Sequence, residues 1–135
     1  MKSHVNIKPA RLELVVMSMM NEYADDVRLA VRVAVQETAD EVTAELKTAG
    51  DFGGTKYRAS WKNTVRQTSV FTDATVFNEE HYRLTHLLEF GHDVRNRKGG
   101  PVLGHAEAHE HIYPINQEVG DIFERKLRDI LGRSV

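Results

Sequence analysis

From Ala10 to Ala49 the chain contains neither proline nor glycine, and apolar residues recur along it at spacings of three and four. Leu12, Val16, Met19, Met20 and Tyr23 begin the stripe; Val27, Val31, Ala34, Thr38, Val42 and Leu46 continue it. Such spacing places side chains on one side of a helix. The charged residues Asp26, Arg28, Arg32, Glu37, Asp40, Glu41 and Lys47 fall between them. Pro9 suits a first helical turn. Gly50 suits a helix stop, because glycine alone enters the left-handed region cheaply. A long amphipathic N-terminal helix follows from this pattern, with a break near Asn21 because the run exceeds an ordinary globular helix.

Beyond Gly50 the period changes. Residues 51–55 (DFGGT) read as a loop. Tyr57, Ala59, Trp61 and Val65 then alternate with Lys56, Arg58, Ser60, Lys62, Thr64 and Arg66, the pattern of a strand with one covered face. Val70-Phe71 and Ala74 to Phe77 flank Thr72-Asp73, which predicts a hairpin with its turn there. Asn78 is placed to cap a short helix from Glu79 to Phe90, with Leu84, Leu87, Leu88 and Phe90 inward and Gly91 as its stop. Residues 93–104 form a basic, glycine-rich loop with a trace of strand at Val102-Leu103. Pro114 opens a last helix whose stripe is Ile115, Val119, Ile122, Phe123, Leu127, Ile130 and Leu131. The expected architecture is a single α+β domain over 1–135. Its N- and C-terminal helices pack on a small antiparallel sheet, with a short helix inserted.

Composition narrows the functional classes. With no cysteine, thiolate catalysis, disulfides and cysteine-ligated metals are excluded. A formal net charge of −2 disfavours a dedicated duplex-DNA binder. No apolar run approaches a membrane span, and Leu14–Met20 reads as helix rather than as an export signal.

Six histidines, His81, His86, His92, His105, His109 and His111, fall within a short stretch. A zinc or manganese site of a small metal-dependent hydrolase or nuclease is the sharp reading. However, the helical His-Glu-x-x-His arrangement of such sites does not occur. Loop and polar-face histidines are the simpler one. Serine nucleophile elbows and phosphate-binding glycine loops are likewise missing. No catalytic, cofactor or metal residue is therefore expected. Lys56, Arg58, Lys62 and Arg66 project together if 57–66 is a strand, a candidate DNA-facing row of the sequence-indifferent kind. A solubilising strand face is its plain alternative.

Three segments carry more than composition does: GGTKYRASWK (Gly53 to Lys62), NEEHYRLTHLLEFGH (Asn78 to His92) and GGPVLGHAEAHEHIYPINQE (Gly99 to Glu118). In this order, behind a long amphipathic helix, the chain resembles the tail-completion or neck proteins of long-tailed bacteriophages. These are also labelled minor tail components or head–tail joining proteins. The resemblance spans about residues 10–131 and is most specific in Leu-Thr-His-Leu-Leu-Glu-Phe-Gly-His. Family members often have proline before the final His-Ile and alanine after the next proline; this chain has Glu110 and Ile115 there.

The resemblance implies a virion structural protein without turnover or cofactor, made in the bacterial cytoplasm. Its partners are head-closure proteins on one side and tail-terminator or tail-tube proteins on the other. It implies a homo-oligomeric ring in the particle, monomeric or weakly associated in isolation, and at most non-specific contact with passing DNA. On this reading the leucines of the short helix anchor it, and Tyr82, His86 and Glu89 form its exposed face. These three are the candidate subunit or partner interface, with hydrogen bonding inside the monomer as their alternative role.

Overall fold

The computed structural model describes residues 2–8, 11–17, 25–50, 52–68 and 71–133. It is α+β. Strands β1 (Lys2–Lys8) and β2 (Arg11–Met17) come first, then helix α1 (Asp25–Lys47), a one-turn helix α2 (Gly54–Ala59), and strands β3 (Trp61–Gln67) and β4 (Phe71–Asn78). Helix α3 (Tyr82–Phe90), the pair β5 (His92–Arg95) and β6 (Val102–Ala106), and helix α4 (Ile112–Arg133) complete the order. The first four strands form one antiparallel sheet in the order β1-β2-β4-β3; β5 and β6 form a separate antiparallel pair.

The long helix is confirmed from Asp25 to Lys47, and its buried residues include Val31, Ala34, Thr38, Val42 and Leu46. Its buried hydroxyls are satisfied within the helix: Thr38 donates to the Ala34 carbonyl at 2.6 Å and Thr43 to that of Ala39 at 2.7 Å. The N-terminal part of the expectation is corrected, because Arg11–Met17 is a strand. Leu12 and Val16 are four apart, a separation that fits both a helical turn and two strand repeats. Leu14 breaks the tie toward strand. The register sets Leu12, Leu14 and Val16 opposite Val76, Ala74 and Thr72 of β4. Pro9, Met19, Met20, Asn21 and Tyr23, also assigned to that helix or its break, lie outside the described residues.

The same ambiguity governs Tyr57 and Trp61. The expected strand over 57–66 is instead α2 followed by β3, with the change at Ser60. Both aromatics are nevertheless fully buried and meet edge to face, with ring centroids 5.8 Å apart. Thr72-Asp73 is not a turn but part of β4, where Thr72, Ala74, Val76 and Asn78 are buried in alternation. The reversal comes earlier: Thr68 N–H donates to the Phe71 carbonyl at 2.9 Å.

Helix α1 lies across β3 and β4. Helix α4 runs alongside α1, with Arg125 and Lys126 on Glu41. The Glu45 carboxyl is raised above its usual range by burial and then by the nearby Glu118 and Glu41. Contacts from residue 41 to 125 and from 45 to 118 make the two helices antiparallel. The shared core takes Val35, Val42 and Leu46 from α1, Trp61 from β3, Val76 from β4, and Ile112, Ile115, Val119, Ile122 and Phe123 from α4. Leu127 and Ile130 pack at its edge. Among the described residues no helix is long and apolar enough to cross a membrane.

Gly91 is demanded by geometry. Its φ is 72° and ψ 173°, a region essentially closed to other residues. A Cβ there would lie 2.6 Å from the Ala106 carbonyl oxygen and 3.0 Å from the Ala108 nitrogen. Gly54 has a similar φ of 81°, but nothing lies within 4 Å of the position a Cβ would take. Gly91→Ala is therefore expected to destabilise more than Gly54→Ala, whose cost is the ~1–2 kcal/mol of a left-handed residue. Urea denaturation of the two variants checks the order; equal costs would mean that the close approach at Gly91 relaxes freely.

Candidate functional site

Helix α4 begins at Ile112 with no acidic residue in its first turn. Yet the first N–H groups of any helix lack partners within it and carry its positive dipole end. The partner comes from a different helix. Glu89, on α3, accepts the His111 N–H at 2.9 Å and the Ile112 N–H at 3.0 Å on Oε1. It accepts the Tyr113 N–H at 3.0 Å on Oε2. His111 Nδ1 lies 2.9 Å from the same Oε1 and 2.7 Å from the His109 carbonyl, two acceptors that place the ring proton on Nδ1.

The network continues from the other side of the imidazole. His111 Nε2 lies 2.7 Å from the Tyr57 hydroxyl, which lies 3.1 Å from Thr85 Oγ1. Tyr57, Thr85, Glu89 and His111 are each at most 3% exposed. Phe52 meets the His111 ring at 4.8 Å and stacks on His109 at 5.1 Å. Asn78 fastens the neighbouring corner: its side-chain N–H donates to the Tyr57 carbonyl at 2.8 Å, and its carbonyl oxygen accepts the His81 N–H at 2.9 Å. The expected cap is corrected: Asn78 ends β4, and the N-cap of α3 is His81, without a side-chain capping bond, because the helix starts at Tyr82 rather than Glu79.

Electrostatics follow from this geometry. Burial alone would raise the Glu89 carboxyl. The hydrogen bonds from the His111 ring and from the three backbone N–H groups outweigh it and hold the group at about 2. Burial, opposed by the Thr85 hydrogen bond and helped by the Glu89 charge, pushes the Tyr57 hydroxyl up to about 12. Glu89 is therefore held ionised and Tyr57 protonated around neutral pH. The arrangement holds three chain segments together.

The expected interface is thereby divided. Tyr82 and His86 are exposed on α3, with His86 against Phe90 at 5.2 Å, but Glu89 is buried and belongs to the network. The leucine side is corrected too: Leu87 is 37% and Phe90 57% exposed, while Leu84 and Leu88 pack on the core. At ~100° per residue, Leu84, Leu88, Thr85 and Glu89 share an arc of roughly 140°. That arc was available in the sequence. Grouping by hydrophobicity alone hid it, because two of its four members are polar.

The candidate DNA-facing row does not form as one strand face. Lys56 and Arg58 lie on α2, where residues two apart point in nearly opposite directions. Arg58 donates to the Gly50 carbonyl at 3.0 Å. Lys62 and Arg66 do share the outward side of β3, but Lys62 is paired with Glu79 and Arg66 with Asp73. The Glu79 carboxylate also raises the Lys62 ammonium above its usual range. The histidines do not gather as one cluster: His109 and His111 share Phe52, His86 lies on Phe90, and His105 lies beside Asp93 at 3.4 Å. Among the described residues no three histidine, aspartate or glutamate side chains converge as metal ligands.

Comparison with protein-family models, with curated proteins and with solved structures finds no match.

Two outcomes test the network. Glu89→Ala leaves three backbone N–H groups without their acceptor and removes one of the two acceptors at His111 Nδ1, and is expected to cost about 3–5 kcal/mol of stability. The pH dependence has a definite sign. A carboxyl at about 2 when folded, against an ordinary 4.5, stabilises fully above pH 4.5 and loses that contribution as pH falls from 4.5 toward 2. Glu89→Gln should flatten that acid limb. Chemical denaturation at several pH values measures both, and an unchanged acid limb in the Gln variant would disprove the assignment.

Proposed function

We infer that this chain is a non-enzymatic virion structural protein, a tail-completion or neck component of the ring that joins capsid and tail. The observation that carries the reading is the place where the three resembling segments meet. Tyr57 comes from the first, Thr85 and Glu89 from the second, and His111 from the third, and all four join in one buried network. These four residues of the three segments are thus engaged in holding the fold.

The outward surfaces suit assembly. Tyr82 and His86 stand on a helix whose opposite side is anchored by Leu84, Leu88 and the Glu89 network. A ring subunit must offer rigid, distinct surfaces to its neighbours and to the proteins above and below it. With Glu89 removed from that surface, Tyr82 and His86 are the α3 residues proposed to contact a partner. The histidine-based hydrolase is the weaker reading, because His86, His105 and the His109–His111 pair occupy separate settings and, among the described residues, no three histidine, aspartate or glutamate side chains converge as metal ligands.

Complementation of a phage lacking the corresponding gene tests the reading. Loss of the chain should yield filled heads and unjoined tails in electron micrographs, and the chain should be found in purified particles. Tyr82→Ala with His86→Ala should fold normally, since both side chains are exposed, and should lower the yield of joined particles at least tenfold. Joined particles at the normal yield would remove α3 as the contact. Absence of the chain from purified virions would overturn the reading itself.

A further inference from the structure

The four-stranded sheet ends in two free edges. Among the described residues β1 pairs only with β2, and β3 only with β4. Both edge strands are seven residues long. Four strands in antiparallel order leave the two edges running in opposite directions, so β3 of one copy meets β1 of an identically oriented copy antiparallel. Two bonds fix which backbone groups are free. The Glu79 N–H donates to the Ser60 carbonyl and the Thr68 N–H to the Phe71 carbonyl, each at 2.9 Å. Bonded and non-bonded pairs alternate along an antiparallel ladder. Lys62, Thr64 and Arg66 therefore bond to β4, and the N–H and C=O groups of Asn63, Val65 and Gln67 point away from the sheet. Carried through the registers of β4 with β2 and of β2 with β1, the same alternation points the backbone groups of Ser3, Val5 and Ile7 outward on the other edge.

The helices above the sheet end in matching flanks. Helix α1 lies over β3 and β4, and α4 over β1 and β2. Two strands span ~10 Å, which is the spacing of packed helices. On α1, Gln36 and Asp40 bond to Asn63 of β3, so the side that carries them leans over the free edge. Leu29 and Val33 share that side within an arc of ~60°, and are 60% and 37% exposed. On α4, Tyr113, Gly120, Leu127 and Leu131 fall within an arc of ~40°, on the side away from Glu118 and Arg125, which face α1. Tyr113 is 54% exposed. Gly120 is exposed in mid-helix, with nothing within 4 Å of the position a Cβ would take. A glycine there weakens the helix of an isolated chain and lets a second element approach its backbone closely.

We propose that copies of this chain associate head to tail: β3 of one copy pairs antiparallel with β1 of the next, and the α1 flank packs on the α4 flank of that neighbour. The continued sheet keeps all helices on one face, and α1 stands as far from the neighbour's α4 as from its own. Charge selects the register. Val65 opposite Val5 would set Lys62 opposite Lys8, and Val65 opposite Ser3 would set Arg66 opposite Lys2; like charges directly opposite destabilise a strand pair. Val65 opposite Ile7 sets Thr64 opposite Lys8 and Arg66 opposite Asn6. Within one copy Val65 and Val5 lie on one row of the sheet, so this register offsets the neighbour by two strand residues. That is ~7 Å, or about four helix residues. Strand β3 and helix α4 start at the same end, where the Trp61 and His111 rings are 6.1 Å apart. Glu41 lies beside Arg125 and Glu45 near Glu118 within a copy. The offset therefore brings Leu29 level with Leu131, Val33 with Leu127 and Asp40 with Gly120 of the neighbour. The contact is heterologous, so the series closes into a ring or extends as a filament, and a closed sheet requires such a stagger. This deepens the ring reading given above and rests on it for the closed form. The pairwise contact stands on the two edges and the two flanks.

The cysteine-free chain allows a direct test. Leu29→Cys protein is mixed with Leu131→Cys protein at high concentration and treated with a short bismaleimide; Lys98→Cys, exposed between β5 and β6, replaces Leu131→Cys as the control. The mixed Leu29–Leu131 dimer is expected at least tenfold above the control. Two further changes should each return it to the control level. Val65→Pro in the Leu29→Cys chain removes an outward N–H and leaves the ladder to β4 intact, a place where edge strands accept proline. Gly120→Glu in the Leu131→Cys chain fills the close approach and sets a carboxylate against Asp40. It also favours the helix, so its loss of yield does not come from unfolding. Far-ultraviolet circular dichroism verifies every fold. Equal yields in the two mixtures, a yield unmoved by Gly120→Glu or by a folded Val65→Pro chain, or a predominance of Leu29–Leu29 dimers would overturn the proposal. The measurement uses purified protein, so its failure is distinct from absence of the chain from virions, which tests the functional reading.

Discussion

The carboxylate of Glu89 at the head of α4 is the contact on which the rest of the structure depends. A helix end buried without partners is costly, because its first N–H groups lose water and gain nothing. The residues just before α4 are His109, Glu110 and His111, and the acceptor is brought instead from α3, twenty-odd residues earlier. One ionised group thereby joins two helices. Its position also fixes His111, which in turn reaches Tyr57 and Thr85.

This arrangement explains why so small a sheet and so short a helix hold a defined geometry. Helix α3 buries only a narrow strip of apolar surface, through Leu84 and Leu88. Its orientation is set by polar contacts at both ends: Asn78 at the entry and Glu89 near the exit. A buried ionised group is worth its desolvation only when its acceptor sites are well used; here four donors meet one carboxylate. The outward side of α3 is then held in a fixed direction.

The electrostatics of this junction follow from its burial. Histidine, glutamate and tyrosine within hydrogen-bonding distance would suggest a proton relay if they opened to solvent. Here burial and full hydrogen bonding drive Glu89 and Tyr57 apart, to about 2 and about 12, and leave each in one protonation state across the neutral range. The same residue types carry structure or chemistry according to access and satisfaction, not according to their presence in a motif.

What the sequence by itself determined was the α+β class, helix α1 beyond residue 25, helix α4 with its stripe from Ile115 to Ile130, and the burial of Tyr57 and Trp61. Each rests on apolar residues repeated over enough turns, or on rings too large to leave in water. What only the tertiary structure decided was whether Leu12–Val16 and Tyr57–Trp61 belong to strands or helices. A four-residue spacing satisfies both periods, and the choice depends on whether another strand is present to take up the backbone hydrogen bonds. For Arg11–Met17 there are two, β1 just before it in the chain and β4 distant in sequence. For Tyr57 no strand pairs there, and the chain closes a helical turn before β3 begins. The side of α3 that carries Glu89 is legible in the spacing of Leu84, Thr85, Leu88 and Glu89, but its partner is not: the N-terminus of α4 is brought against it by packing rather than by any local pattern.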